Sequence, residues 1–178
     1  MNTPLEITRT KNWLKNVIIA HNICPFAKRE FERESIHYEL VESENLEEQL
    51  QHLISVCNLL DSDNTVETSL LIYPKGLNDF DDYLDFLALA NALMEKHGYE
   101  GIYQLASFHP DYCFEGAEQD DPSNYTNRAP YPTLHLIREA SLEKVLADYP
   151  NPEKIPERNI EYTRQLGLET MQKMFEML

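Results

Sequence analysis

The chain alternates between two hydrophobic periods, and this alternation constrains its fold more than any other feature. Apolar residues recur at every second position in 36–41, 65–73 and 102–107, whereas 45–60 and 78–98 show helical spacing. The sequence therefore predicts three strands separated by two helices. Each strand–helix–strand succession predicts a right-handed crossover between parallel strands.

A fourth strand is predicted at 133–137, and it follows the third without an intervening helix. We expect it to pair antiparallel with its predecessor, with Leu134 and Leu136 facing one way and His135 and Ile137 the other. The patterns together predict a single α/β domain with a mixed, partly parallel sheet of about four strands covered by helices. A C-terminal helix is predicted at about 157–176.

The stretch from Ser107 to Pro132 is too long for an ordinary connection between two strands. Connections in compact domains are usually about 4–6 residues long, and much longer ones are either functional or disordered. A disordered tether has few aromatic residues, whereas this stretch carries five: Phe108, Tyr112, Phe114, Tyr125 and Tyr131. The sequence therefore predicts an ordered, partly buried loop that holds the functional site.

The formal net charge of −16 is concentrated in the middle of the chain, where only four basic residues lie between positions 41 and 139. A surface that binds nucleic acid or an anionic membrane needs clustered Lys and Arg, so neither partner is expected. No secretory signal is visible, and the three cysteines show no disulfide spacing. We expect a cytoplasmic protein with free thiols. No dinucleotide or P-loop motif is present, so no cofactor is predicted, and the oligomeric state stays open.

Three motifs distributed along the chain resemble one protein family. They are Cys24-Pro25-Phe26-Ala27, Phe108-His109-Pro110, and the segment from Asn127 to Pro132 that leads into LHLIRE. The pattern resembles an uncharacterised bacterial family of proteins of about this length, domain of unknown function family 1415, and the resemblance covers nearly the whole chain. It implies no activity, cofactor or catalytic residue, and Cys113 does not belong to its pattern.

His109 is the candidate general acid or base of the loop. It is predicted to follow the third strand, and ligands of sheets with parallel strands bind beyond the carboxyl ends of those strands. Asp111 shares its face if the segment stays extended, and would then orient the imidazole. The alternative is structural, with the imidazole bonded to a nearby carbonyl.

Arg128 is the candidate anion-binding residue, because its guanidinium can hold a carboxylate or a phosphate with two hydrogen bonds. Asn124 and Asn127 are expected to add neutral hydrogen bonds to the same ligand. The alternative is that Arg128 pairs internally with Glu118, Asp120 or Asp121.

Cys24 is expected to line the edge of the same pocket as a shielded thiol. It falls at the C-terminal end of the first helix, where the helix dipole opposes a reactive thiolate. A nucleophilic role is the alternative. His21, Cys24, His109, Asp111 and Cys113 include the ligand types of a zinc site, but their spacing matches no established zinc motif, so no metal is predicted.

Two functions remain open on the sequence alone. In the first, the protein is an enzyme acting on a small anionic metabolite, bound by Arg128 in a pocket of the 107–132 loop with His109 moving a proton. In the second, it is a non-enzymatic binding or regulatory module that uses the loop as a protein-contact surface. Convergence of His109, Arg128 and Cys24 on one apolar-walled pocket would favour the enzyme.

Overall fold

The computed structural model describes residues 3–178 as an α/β domain. The strands are β1 (Ile36–Leu40), β2 (Thr68–Ile72), β3 (Tyr103–Phe108) and β4 (Thr133–Arg138). The α-helices are α1 (Leu5–Trp13), α2 (Ala27–Glu32), α3 (Leu46–Ser62), α4 (Phe80–Lys96), α5 (Glu139–Ala147), α6 (Ile155–Leu166) and α7 (Leu168–Glu176). A π-helical segment, Leu14–Ile19, extends α1, and short 3₁₀ helices occur at Pro122–Thr126 and Pro152–Lys154.

The four strands form one mixed sheet in the order β1-β2-β4-β3, which confirms the predicted fold class. β1 and β2 pair in parallel, and β4 runs antiparallel to both of its neighbours. β1, β2 and β3 therefore share one direction, and the helix α4 carries the chain past β4 to the far edge. The carboxyl ends of these three strands and the start of β4 lie at the same edge of the sheet. The loop between β3 and β4 covers that edge.

The helices α3 and α4 close the first face of the sheet. Alternate residues of β2 and β4, among them Leu71, Leu134 and Leu136, point into this core and are 0% exposed. The core is completed by side chains from the two helices and the adjoining turns: Val41, Leu53, Val56, Cys57, Leu60, Leu77, Tyr83, Phe86, Ala90 and Met94. The apolar stripes read from the sequence account for this face.

The second face is covered by the N-terminal helical region and by the C-terminal helices. Trp13, Val17 and Ile18 pack there with Leu70 of β2 and Ala129 of the long loop. The predicted helix at 157–176 is two helices, because Gly167 breaks it with φ of 80° and ψ of 158°. Glycine adopts this positive φ without the steric cost that a Cβ atom would impose.

The long loop is ordered and partly buried, as the sequence predicts. Its 3₁₀ helix begins after Asp121, whose side chain accepts a hydrogen bond from the Ser123 amide. Residues Ser123 to Thr126 are buried, and Tyr125 packs edge-on against Phe175 of α7. In residues 3–178 no helix is both long and apolar enough to cross a membrane.

A single hydroxyl group joins both ends of this loop. Tyr83 of α4, which is 0% exposed, donates to the carbonyl of Thr133 at 2.8 Å and accepts from the amide of Phe108 at 3.2 Å. Phe108 and Thr133 are also paired across β3 and β4. The Tyr83 hydroxyl therefore links the last residue of β3 to the first residue of β4, between which the loop lies.

We predict that Tyr83→Phe lowers the free energy of unfolding by about 1–3 kcal/mol, because it removes both hydrogen bonds of a buried hydroxyl. Tyr73→Phe is the matched control, since Tyr73 is equally buried in the same core but its hydroxyl has no partner in the described residues. Removing that hydroxyl should leave the stability unchanged or raise it. Urea unfolding of both variants checks the prediction, and equal stabilities would contradict it.

Candidate functional site

His109 is enclosed on the α4 side of the sheet and is 0% exposed. Its Nδ1 accepts the amide hydrogen of Asp111 at 3.0 Å, so the other nitrogen carries the ring proton. That Nε2 donates to the carbonyl of Leu77, also at 3.0 Å. The ring lies against Phe80 and Tyr83, with centroids 5.2 and 5.1 Å away, and burial lowers its pKa.

Both nitrogens of His109 are therefore engaged: Nε2 attaches the loop to the turn before α4, and Nδ1 bonds within the loop itself. Asp111 contributes its backbone amide, and its side chain is exposed rather than aimed at the imidazole nitrogen. The acid–base role of His109 and Asp111 stays a prediction without geometric support, because neither ring nitrogen is available to a substrate.

Arg128 and Asn124 organise the loop from within. The Arg128 side chain donates to the carbonyls of Tyr112 at 3.1 Å and Gln119 at 2.9 Å, and its guanidinium lies 4.5 Å from the centre of the Tyr125 ring. Asn124, 0% exposed, accepts from the Phe114 amide and donates to the Glu118 carbonyl. Both predicted ligand-binding side chains thus bind the backbone of their own loop.

The carboxylates expected to pair with Arg128 do not do so in the described residues. Asp121 instead forms a salt bridge with Arg164 of α6 at 2.6 Å, which holds the pKa of that carboxyl well below its usual range. Arg128 is held by neutral carbonyl oxygens, and the loop is tied to the C-terminal helices by a different ion pair.

A cavity of about 490 Å³ lies on the second face of the sheet. Its floor is formed by side chains of all four strands: Ile36, Thr68, Leu70, Ala106, Phe108, His135 and Ile137. The N-terminal helical region walls it with Trp13, Leu14 and Ile18, and the helices α5 and α6 wall it with Leu142, Val145, Ile155 and Asn159. The volume is within the usual range of small-molecule sites.

The cavity exists because the helices do not close this face as they close the other. Leu134 and Leu136 of β4 are completely buried, yet Ile137 on the opposite face of the same strand is only half-buried. Phe108 is also half-buried, although it packs edge-on against Trp13 with centroids 5.1 Å apart. Apolar side chains of β3 and β4 on this face therefore border open space as well as the second core.

His135 supplies the most distinctive polar group of the cavity. The Thr68 hydroxyl lies 2.6 Å from the Leu136 carbonyl and 2.6 Å from Nε2 of His135. Its single proton must go to the carbonyl, which only accepts, so Nε2 of His135 carries a proton and donates to Thr68. The tautomer assigned from this network leaves Nδ1 as a bare acceptor.

Nδ1 of His135 makes no hydrogen bond within residues 3–178. It is nevertheless not enclosed by protein atoms there. The ring lines the cavity and Nδ1 is not enclosed, so we infer that a ligand in the cavity can reach Nδ1. Burial lowers the pKa of His135 to about 4, so the ring is neutral near pH 7. The cavity thus combines an apolar lining with a neutral, fixed acceptor.

Cys24 and Asn127 are the two predicted site residues that line this cavity. Burial raises the pKa of the Cys24 thiol. Asn127 donates to the Ser107 carbonyl at 3.1 Å. His109, Asp111, Asn124 and Arg128 do not line the cavity, so Cys24 and Asn127 do not share it with the other predicted site residues.

Within residues 3–178, no group of three or more His, Cys, Asp or Glu side chains is placed to hold a metal ion. His21 is bonded to the Tyr162 hydroxyl at 2.8 Å, and Cys113 donates to the carbonyl of Ala117. All three cysteines are free, which confirms the expectation of unpaired thiols.

Sequence analysis missed His135 and Thr68 as site residues. The alternation along β4 does put His135 on the face opposite Leu134 and Leu136, and this was the available signal. What it lacked was the register of β4 against β2, in which His135 pairs with Leu70 and Ile137 with Thr68. Only that register brings a hydroxyl to the imidazole.

The low pKa of His135 predicts a specific pH dependence of stability. The unfolded chain takes up a proton near pH 6.5, whereas the folded protein does so only near pH 4, so stability is lost as the pH falls through this window. Relative to His135→Gln, the wild type should lose up to about 3 kcal/mol more on acidification. Urea unfolding of both proteins across this window measures the difference, and parallel profiles would contradict the assignment.

The comparisons with known proteins agree with the resemblance seen in the motifs. Searches of curated proteins and of solved structures found no match. A family model described as "Protein of unknown function (DUF1415)" matches residues 6–173, a span that includes every residue lining the cavity. Because the match covers nearly the whole chain, the protein belongs to the DUF1415 family.

Proposed function

We propose that this protein binds a small, largely apolar molecule in the cavity on the second face of its sheet. One observation carries the proposal: apolar side chains of inner and outer strands line about 490 Å³ of unfilled space. Burying apolar surface stabilises a protein by roughly 25 cal/mol per Å² removed from water, and these exposed side chains lack that stabilisation. A bound apolar molecule recovers it.

The charges around the cavity favour a ligand without a strong negative charge. The cationic side chain that lines it, Arg29, is paired with Glu30 at 2.8 Å, and Glu67 adds a further carboxylate to the lining. A carboxylate or phosphate entering here meets no unpaired cation in the lining. The proposal therefore departs from the small anionic metabolite expected from the sequence.

Binding is better supported than catalysis. The enzymatic interpretation placed the proton transfer on His109 and the anion on Arg128, and both side chains are occupied by backbone groups of the loop and the adjoining turn. In the cavity itself, the Cys24 thiol has a raised pKa and is a poor nucleophile. The alternative of a non-enzymatic binding module is therefore retained, with its site moved from the loop surface to the cavity.

The remaining expectations from the sequence are part of the same proposal. We propose a cytoplasmic protein that binds neither nucleic acid nor a membrane surface. The net charge of −16 supports the exclusion of polyanionic partners, and three unpaired thiols suit a reducing compartment.

Filling the cavity tests the proposal. Ala106→Phe places a ring opposite His135, where the half-buried Ala106 lines the cavity. We expect it to abolish binding of Prodan, a neutral naphthalene dye whose emission shifts to the blue in apolar surroundings. The fold should persist because the added ring enters existing space.

Gln104→Phe is the matched control, since Gln104 lies on the same strand and the same face but is exposed and outside the cavity lining. It should bind the dye as the wild type does. Fluorescence titration of the three proteins gives the answer. Absence of dye binding to the wild type, or equal binding to Ala106→Phe, would refute the proposed function.

A further inference from the structure

The cavity contains one polar atom whose hydrogen-bonding role is fixed in advance. Nδ1 of His135 is an acceptor because the Thr68 hydroxyl has only one proton and gives it to the Leu136 carbonyl. The opposite tautomer would place two lone pairs against each other across the 2.6 Å contact between Thr68 and Nε2. The ring therefore cannot turn its acceptor into a donor to suit a ligand while this network holds.

We propose that the ligand is an uncharged, apolar molecule carrying a hydroxyl or amide N–H group, which it donates to Nδ1 of His135. This inference rests on the proposed function, since it specifies what the cavity recognises. An apolar molecule without a donor would fill the space but leave Nδ1 without a partner, and a buried acceptor that has lost its water is costly to leave unpaired.

An anionic ligand fits the same atom poorly. A carboxylate has no hydrogen to donate at neutral pH, so it would face the lone pair of Nδ1 directly. Protonating His135 would remove the conflict, but its deep position opposes the charged form. The Arg29–Glu30 pair and Glu67 in the lining add no net positive charge that would offset this.

Two neighbouring amides of the lining are already engaged within the protein. Asn159 donates to the Ile23 carbonyl at 2.7 Å and accepts from Arg158 at 2.9 Å, so its amide is used within the protein. The Asn127 amide nitrogen is bonded to the Ser107 carbonyl. The lining therefore offers an acceptor to the ligand at His135 while two nearby side-chain donors are already engaged.

Three probes with similar apolar bodies separate the possible ligand chemistries. Heptanol has a donor, its isomer methyl hexyl ether has none, and heptanoate carries a negative charge. Trp13 reports binding directly, because it is the only tryptophan of the chain and lines the cavity. We expect heptanol to bind about tenfold more tightly than the ether, which corresponds to one hydrogen bond, and heptanoate to bind most weakly at neutral pH.

Two variants locate the effect. His135→Phe keeps an apolar wall but removes the acceptor, so heptanol should lose its advantage while the ether keeps its affinity. Thr68→Val releases Nε2 of His135 and frees the tautomer, so the advantage of heptanol should shrink without disappearing. Circular dichroism confirms that the variants fold, and the three probes on wild-type protein test the inference even if a variant does not.

The outcomes distinguish this inference from the proposed function. Equal binding of heptanol and the ether, or tightest binding of heptanoate, overturns the inference and leaves the cavity as a ligand site. Failure of all three probes to change the fluorescence of Trp13 contradicts the proposed function, and the inference with it. Tenfold preference for heptanol that is lost in His135→Phe supports both.

Discussion

Each strand of a sheet presents side chains to two faces, and the helices of this chain close one of them and leave a cavity of about 490 Å³ on the other. In β4, Leu134 and Leu136 are sealed beneath α3 and α4, while His135 and Ile137 face partly open space. The alternation along this strand decides which residues serve stability and which are free for binding. Everything inferred about function follows from this difference between the two faces.

The single proton of the Thr68 hydroxyl then determines which nitrogen of His135 can accept a hydrogen bond. The Thr68 hydroxyl lies between a backbone carbonyl and an imidazole, and because it can donate only once, it determines which nitrogen of His135 is bare. Burial keeps that ring neutral. Two residues on adjacent strands thus give an otherwise apolar cavity one unpaired hydrogen-bond acceptor.

The polar side chains of the loop between β3 and β4 hold the loop in place, which the sequence did not predict. A polar, charged segment of this length suggested a site for an external ligand. Instead, Arg128 and Asn124 bind carbonyls within the loop, and His109 joins it to the turn before α4. The same hydrogen-bonding capacity that made these residues candidates for ligand binding allows the loop to fold upon itself.

The sequence predicted the strands, the helices between them and the parallel character of the sheet, because hydrophobic period reports which side of an element is buried. It did not predict the short helix α2 after Pro25 or the break at Gly167, which depend on local backbone geometry. The site was harder to predict. Cys24 and Asn127, two of the predicted site residues, line the cavity, but His135 and Thr68 meet only through strand register, which side-chain alternation does not encode.

The central claim is that small molecules bind one face of the sheet and not the other. Methyl NMR of the protein titrated with Prodan tests it most directly, since adjacent residues of β2 serve as internal controls. Leu70 lines the cavity, whereas Leu71 belongs to the closed core. We expect the methyl signals of Leu70 and Ile137 to shift and those of Leu71 and Leu134 to stay unchanged. Shifts confined to the closed core, or spread equally over both faces, would contradict it.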